Sequence, residues 1–159
     1  DDDAVRISVR LPKTAFGQRE PLLVTGKTGA GDAVYLIYED AQTLRIGFDH
    51  WGIGGAVSDP IPIDYSSPHT FEIHLGSLRT FNLSSKANPS DLPRSGVMIE
   101  IDSVPVLHAN FAPYPARPRE IYFGRNGIAA STSGAEFTGR ILAVERAPID
   151  ARTRKTQRW

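Results

Sequence analysis

Residues 97–109 read VMIEIDSVPVLHA, and the way this stretch turns back on itself decides the fold class. In its first half Val97, Ile99 and Ile101 recur at every second position, the period of a strand with one buried face. Asp102 and Ser103 then form a short polar tip of the kind that joins antiparallel strands, and VPVLHA runs back. The same grammar extends outward. Upstream, TFEIHL sets Phe71, Ile73 and Leu75 against Glu72 and His74, and VRISVRL sets Val5, Ile7, Val9 and Leu11 against Arg6, Ser8 and Arg10. AVYLIY and TLRIGF flank Glu39-Asp40-Ala41-Gln42 as a second hairpin. Downstream, EIYFGRN and AEFTGRILAVER supply two further strand-like runs around the small-residue loop Gly127 to Gly134.

No window shows the three-four spacing of a long amphipathic helix, and 12 prolines and 14 glycines punctuate the chain at short intervals. These features predict an all-β sandwich. With 159 residues, no repeat and no second composition regime, the chain reads as a single β-sandwich domain over 1–159. Its core spans about 5–146, between charged tails at Asp1-Asp2-Asp3 and at Arg152, Arg154, Lys155 and Arg158.

Lysine plus arginine equals aspartate plus glutamate at 18 each, so no global field draws the chain to nucleic acid or an anionic membrane. Cysteine is missing from the sequence, which removes disulfides, thiolate metal sites and cysteine nucleophiles together. No apolar run approaches the ~18 residues of a membrane span, so no membrane insertion is expected.

The order of runs resembles the concanavalin A-like jelly roll of laminin G-like domains, lectins and related glucanases. HTFEIHL, the VMIEIDSVPVLHA hairpin, the Ile121-Tyr122-Phe123-Gly124-Arg125-Asn126 run and the Phe137-x-Gly139-x-Ile141 element carry the likeness, from about Val5 to Arg146. It implies an antiparallel two-sheet jelly-roll sandwich. Folds of this kind bind sugars, bind proteins, hydrolyse polysaccharides or space other domains, so function must be argued from a site. Apart from the family, Gly139 stands between Phe137 and Ile141 where a neighbouring backbone or large ring needs room.

Several chemistries are tested by single positions. TGKTGAGD, Thr25 to Asp32, echoes a phosphate loop, but Pro21 stands where the leading glycine belongs and strand composition follows. It reads as a turn. Retaining glucanases of this fold class carry Glu-x-Asp-x-x-Glu on one strand. Glu100-Ile101-Asp102 matches the first half, and Pro105 replaces the second glutamate, which argues against an enzyme of that mechanism. The four histidines, His50, His69, His74 and His108, lack metal-helix spacing. Calcium would draw on Asp32, Asp49, Asp59, Asp64 and Asn126, which form no Asp-x-Asp cluster, so no metal or other cofactor is expected.

The most distinctive segment is IGFDHWGIGG, Ile46 to Gly55. It places a carboxylate, an imidazole and an indole at a strand end, and sugar sites combine an aromatic platform with a few oriented polar groups. Asp49 and Trp51 share a side by strand alternation and His50 faces away. Tyr114 in the stiff segment NFAPYPARPRE, together with Arg125 and Asn126, completes the candidate ligand set. The expectation is a non-catalytic carbohydrate-binding or adhesion-like module of an extracytoplasmic protein, with a glycan or protein partner. The alternatives are a structural or protein-interaction domain of a larger envelope protein, and a glycoside hydrolase with a non-standard carboxylate pair.

Overall fold

A computed structural model describes residues 4–79 and 96–146; the charged tails lie outside the described residues. The strands are β1 (Ala4–Arg10), β2 (Arg19–Lys27), β3 (Ala30–Tyr38), β4 (Thr43–His50), β5 (Gly54–Val57), β6 (Ile61–Pro62), β7 (Pro68–Leu75), β8 (Val97–Ile101), β9 (Val104–Ala109), β10 (Ile121–Phe123) and β11 (Arg140–Arg146). They form two antiparallel sheets, as the alternation predicts. One runs β11-β1-β7-β8-β9; the other runs β10-β2-β3-β4-β5, with β6 also paired to β4.

The apolar sets read from the sequence meet between the sheets. Val5, Ile7, Val9, Phe71, Ile73, Leu75, Val97, Ile99 and Ile101 come from the first sheet, and Val34, Leu36, Tyr38, Leu44, Ile46 and Phe48 from the second. Each fully buried aliphatic or aromatic side chain of this kind contributes about 1.5–3 kcal/mol.

The deciding hairpin closes as the sequence implies. Asp102 (φ 48°) and Ser103 (φ 68°) both adopt the left-handed region that a two-residue turn with the twist of its strands requires. The Asp102 carboxylate secures the turn, accepting from the Thr70 amide at 2.9 Å and contacting His69 Nδ1 at 2.6 Å. TGKTGAGD is likewise a turn, with Thr28 and Gly29 between the β2–β3 pair Lys27 and Ala30. The closing strand is shorter than its sequence run and begins at Arg140. Before it the Phe137 ring folds over Gly139, where a Cβ would lie 2.4 Å from Phe137 Cζ and 2.3 Å from the Arg10 carbonyl oxygen. The room predicted at Gly139 is therefore occupied by both a ring and a backbone.

A second apolar layer lies on the outer face of the six-stranded sheet. Val24 and Ala33 point away from the main core and are covered by Ile128 and Ala130, with Trp51 and Tyr122 packed at the margins. The covering segment is tied down at both ends. Thr28 Oγ1 donates to the Ile128 carbonyl at 2.9 Å, and buried Glu20 accepts from the Thr138 amide and hydroxyl at 3.0 and 2.6 Å.

Candidate binding face on the six-stranded sheet

Strand alternation sorts the segment that stood out in the sequence. On β4, Phe48 and His50 face the interior, whereas Asp49 lies opposite Ala33 on the outer face. The Trp51 amide donates to the Gly31 carbonyl at 3.0 Å, which fixes the residue just beyond the strand end. Its side chain packs on the Val24–Ala33–Ile128–Ala130 layer. Asp49 and Trp51 thus share the outer side while His50 turns inward.

Around Asp49 the outer face is polar and aromatic. Thr132 Oγ1 donates to Asp49 Oδ2 at 3.4 Å, the one hydrogen bond made by this carboxylate among the described residues. Neither the indole N–H of Trp51 nor the phenol of Tyr35 has a hydrogen-bond partner among the described residues. The Tyr35 ring lies across Gly47, where a Cβ would come within 2.1 Å of Tyr35 Cζ, so glycine is required for the ring to lie flat. Burial pushes the Tyr35 phenol above its ordinary value; the Arg19 charge pulls it down and the Asp49 charge pushes it up. Beyond Asp49 the exposed glycines Gly54 and Gly55 of β5 leave the approach open.

Beneath this face an interlock fixes the strand end. Inside the sandwich His50 Nδ1 contacts Asp32 Oδ1 at 2.5 Å, and Asp32 Oδ2 accepts from the Tyr114 amide at 2.8 Å. The Tyr114 ring stacks on His50 with centroids 4.3 Å apart, and its hydroxyl donates to the Trp51 carbonyl at 2.7 Å. Desolvation raises the Asp32 carboxyl above its ordinary value, against the lowering contacts from His50 and the Tyr114 amide. Tyr114 therefore serves as a bolt under Trp51, with its polar atoms engaged inside the protein.

The other two nominated residues sit elsewhere. Asn126 donates to the Ala130 carbonyl at 2.8 Å and accepts from the Ala130 amide at 2.9 Å, so its amide organises the covering segment. The Arg125 guanidinium lies 4.9 Å from the Tyr122 ring centroid. Tyr122, Val24, Ala33 and Asp49 occupy one row across neighbouring strands, which sets Tyr122 about 14 Å from Asp49. The structure thus sets Asp49 and Trp51 on the same outer side, places Tyr114 below Trp51, and sets Arg125 and Asn126 to one side.

Sequence reasoning missed Tyr35, Thr132 and the Asp32–His50 pair. The last was within reach, because the β3–β4 hairpin sets Asp32 directly opposite His50 once its register is known. Thr132 has no sequence signal, since it reaches Asp49 only through tertiary folding of the loop.

The hydrolase residues fall on the other sheet. Glu100 pairs in register with Glu72, which is engaged by Arg6 at 3.0 Å and by His74 at 3.0 Å. Asp32–His50 has the contact of a catalytic acid–histidine pair, yet no serine or threonine hydroxyl among the described residues bonds His50 Nε2. Of the calcium candidates, Asp64 is engaged by Ser66 and Ser67, and no group of three or more histidine or acidic residues is arranged for a metal among the described residues.

No family model matches the chain, and no curated protein sequence matches it. Solved structures do. The carbohydrate-binding module CBM40 of the Ruminococcus gnavus IT-sialidase matches with a TM-score of 0.53 at 12% identity, over 94% of this chain and 78% of that one. The same module bound to α2,3 sialyllactose gives 0.52 at 13% identity, over 89% and 73%. The fold is the concanavalin A-like, laminin G-like jelly roll. The leech intramolecular trans-sialidase, complexed with 2,7-anhydro-Neu5Ac, matches with a TM-score of 0.52 at 10% identity, over 89% of this chain and 20% of that enzyme. At these identities the likeness is one of architecture.

Proposed function

We propose that the chain is a non-catalytic carbohydrate-binding module whose ligand site is the Asp49–Trp51 face, walled by Thr132 and floored by Tyr35. The observation that carries this reading is uncommitted polarity beside an aromatic surface. The half-buried Asp49 makes one long hydrogen bond, and the Trp51 indole N–H and Tyr35 phenol make none among the described residues. Neither the Asp49 carboxylate, the Trp51 indole N–H nor the Tyr35 phenol is among the buried polar atoms left without a partner, so each is open to water, which sugar hydroxyls, supplying both donors and acceptors, can replace. A pyranose stacked on Trp51 would keep its hydroxyl edge within reach of Asp49 and Thr132. Arg125 over Tyr122 lies about 14 Å along the sheet, where a longer oligosaccharide would extend.

An extracytoplasmic location fits this reading, because that is where glycans are displayed; no helix among the described residues is long and apolar enough to cross a membrane. The reading invokes no bound metal; among the described residues no group of three or more histidine or acidic side chains is arranged for one. A protein-binding module is the second reading, and it draws on Ile53 and Val57, 69% and 49% exposed around the β5 edge.

The experiment is glycan-array binding of the purified chain, in calcium and in chelator, with Trp51→Ala as control. The reading expects specific hits unaffected by chelator and lost in the folded variant. A blank array in both conditions would turn the assignment to a protein partner, and hits that survive Trp51→Ala would move the site elsewhere.

A further inference from the structure

The charge around Asp49 bears on which sugars the face accepts, granted that it is a glycan site. We infer that the ligand is an uncharged sugar held through two adjacent hydroxyls, and that the site disfavours carboxylate-bearing sugars such as sialic acid. A carboxylate offers two oxygens, each able to accept an O–H hydrogen, and adjacent hydroxyls of a pyranose present two such hydrogens side by side. One Asp49 oxygen has only the 3.4 Å contact from Thr132 and the other has no partner among the described residues.

The groups recorded at this carboxylate are neutral donors, the Thr132 hydroxyl and the Tyr35 phenol, and the Trp51 indole on the same outer side is neutral as well. Among the described residues, the basic side chains of this face start from other rows of the sheet. Arg45 is paired with Glu39 at 2.7 Å. The Arg19 backbone belongs to the level of Ile37, about 13 Å along β3 from the Ala33 level of Asp49, and its guanidinium reaches back to 5.9 Å from the intervening Tyr35 ring. Arg125 lies over Tyr122, beyond Val24 and Ala33. An anionic sugar stacked on Trp51 would therefore bring like charge to Asp49 with no basic residue among the described ones in the row Gly55–Asp49–Ala33–Val24–Tyr122, whereas recognition of a carboxylate calls for a guanidinium fork or an equivalent donor set. The R. gnavus module that shares the architecture carries sialyllactose; the charge on this face points to a different ligand class on the same framework.

The test compares lactose, cellobiose and mannobiose with α2,3-sialyllactose by calorimetry or biolayer interferometry, using wild type, Asp49→Asn and Trp51→Ala, each checked for an unchanged far-ultraviolet spectrum. At least one neutral disaccharide should bind at least tenfold more tightly than sialyllactose. Asp49→Asn, which keeps the shape and removes the charge, should weaken the neutral ligand at least tenfold and narrow that ratio. Equal or tighter binding of sialyllactose by wild type overturns the inference. If Trp51→Ala abolishes binding while Asp49→Asn and sialylation change nothing, the sugar site stands and its charge selectivity falls. If none of the four ligands binds, the inference falls, and the glycan-array result decides whether the site falls with it.

Discussion

The phenolic oxygen of Tyr114 lies 2.7 Å from the carbonyl oxygen of Trp51, and the same residue's amide nitrogen lies 2.8 Å from Asp32 Oδ2. One residue of a proline-rich crossing, through its amide, ring and hydroxyl, thus joins the buried ends of two strands to the residue on which the proposed sugar would stack.

Tyr114→Phe isolates that relationship. It keeps the ring over His50 and the amide contact to Asp32 and removes only the bond to the Trp51 carbonyl. We expect a loss of about 1 kcal/mol in urea unfolding, the net worth of one such bond. In a Trp159→Phe background, Trp51 emission should shift and glycan affinity should fall several-fold. An unchanged emission spectrum would mean that Trp51 is held without the bolt.

Gly139→Ala tests the closing element. The added methyl would stand 2.3 Å from the Arg10 carbonyl oxygen, a backbone atom fixed in the β1–β11 ladder. A loss of about 1–3 kcal/mol is expected from overpacking, read as a lower denaturant midpoint at unchanged slope.

Two groups give stability a pH dependence of opposite sense. Bonds from the Ser66 hydroxyl and amide and from the Ser67 hydroxyl hold Asp64 down at about 2, below its ordinary 3.8. A depressed carboxyl stabilises above its unfolded value and loses that contribution as pH falls from about 3.8 through about 2. Asp64→Asn should flatten this part of the acid limb. Burial, then the charges of Asp40 and Glu39, push Tyr65 up to about 12 from 10.0. Its contribution is complete below 10.0 and is lost as pH rises through about 12, which tyrosinate absorbance of wild type against Tyr65→Phe will resolve.

Asn126→Ala removes the amide around which the covering segment turns, including both bonds to Ala130. The two buried Ala130 backbone groups then lose their partner, and a cost of about 1–3 kcal/mol is expected. Because the same segment carries Thr132 toward Asp49, glycan affinity should fall with stability. Affinity unchanged in a destabilised variant would separate the segment from the site.

The sandwich was legible because its rule is local. Alternation in residues 97–101 and 71–75 names the buried face directly, and the Asp102–Ser103 tip names the reversal. Strand ends were less so. Phe137 has strand composition but packs over Gly139 outside the ladder, a tertiary choice that no alternation records. At the site, the side of the sheet taken by Asp49 followed from period two alone. The distance of Arg125 from Asp49 did not, because it depends on how many strands lie between residues distant in sequence. Asn126 has the chemical type of a sugar ligand, and only the path of the following loop shows its amide already engaged.

Pro105, which stands where retaining glucanases of this fold class carry their second glutamate, also sits in β9, the last strand of the five-stranded sheet. An imide nitrogen there cannot donate to an incoming strand, and the shift of register between Ile99 and Glu100 disturbs the same ladder. The border that presents Val104, 60% exposed, is thereby a poor template for a second copy of the chain. A single imide on the outer edge thus helps keep concentrated protein from growing sheet upon sheet.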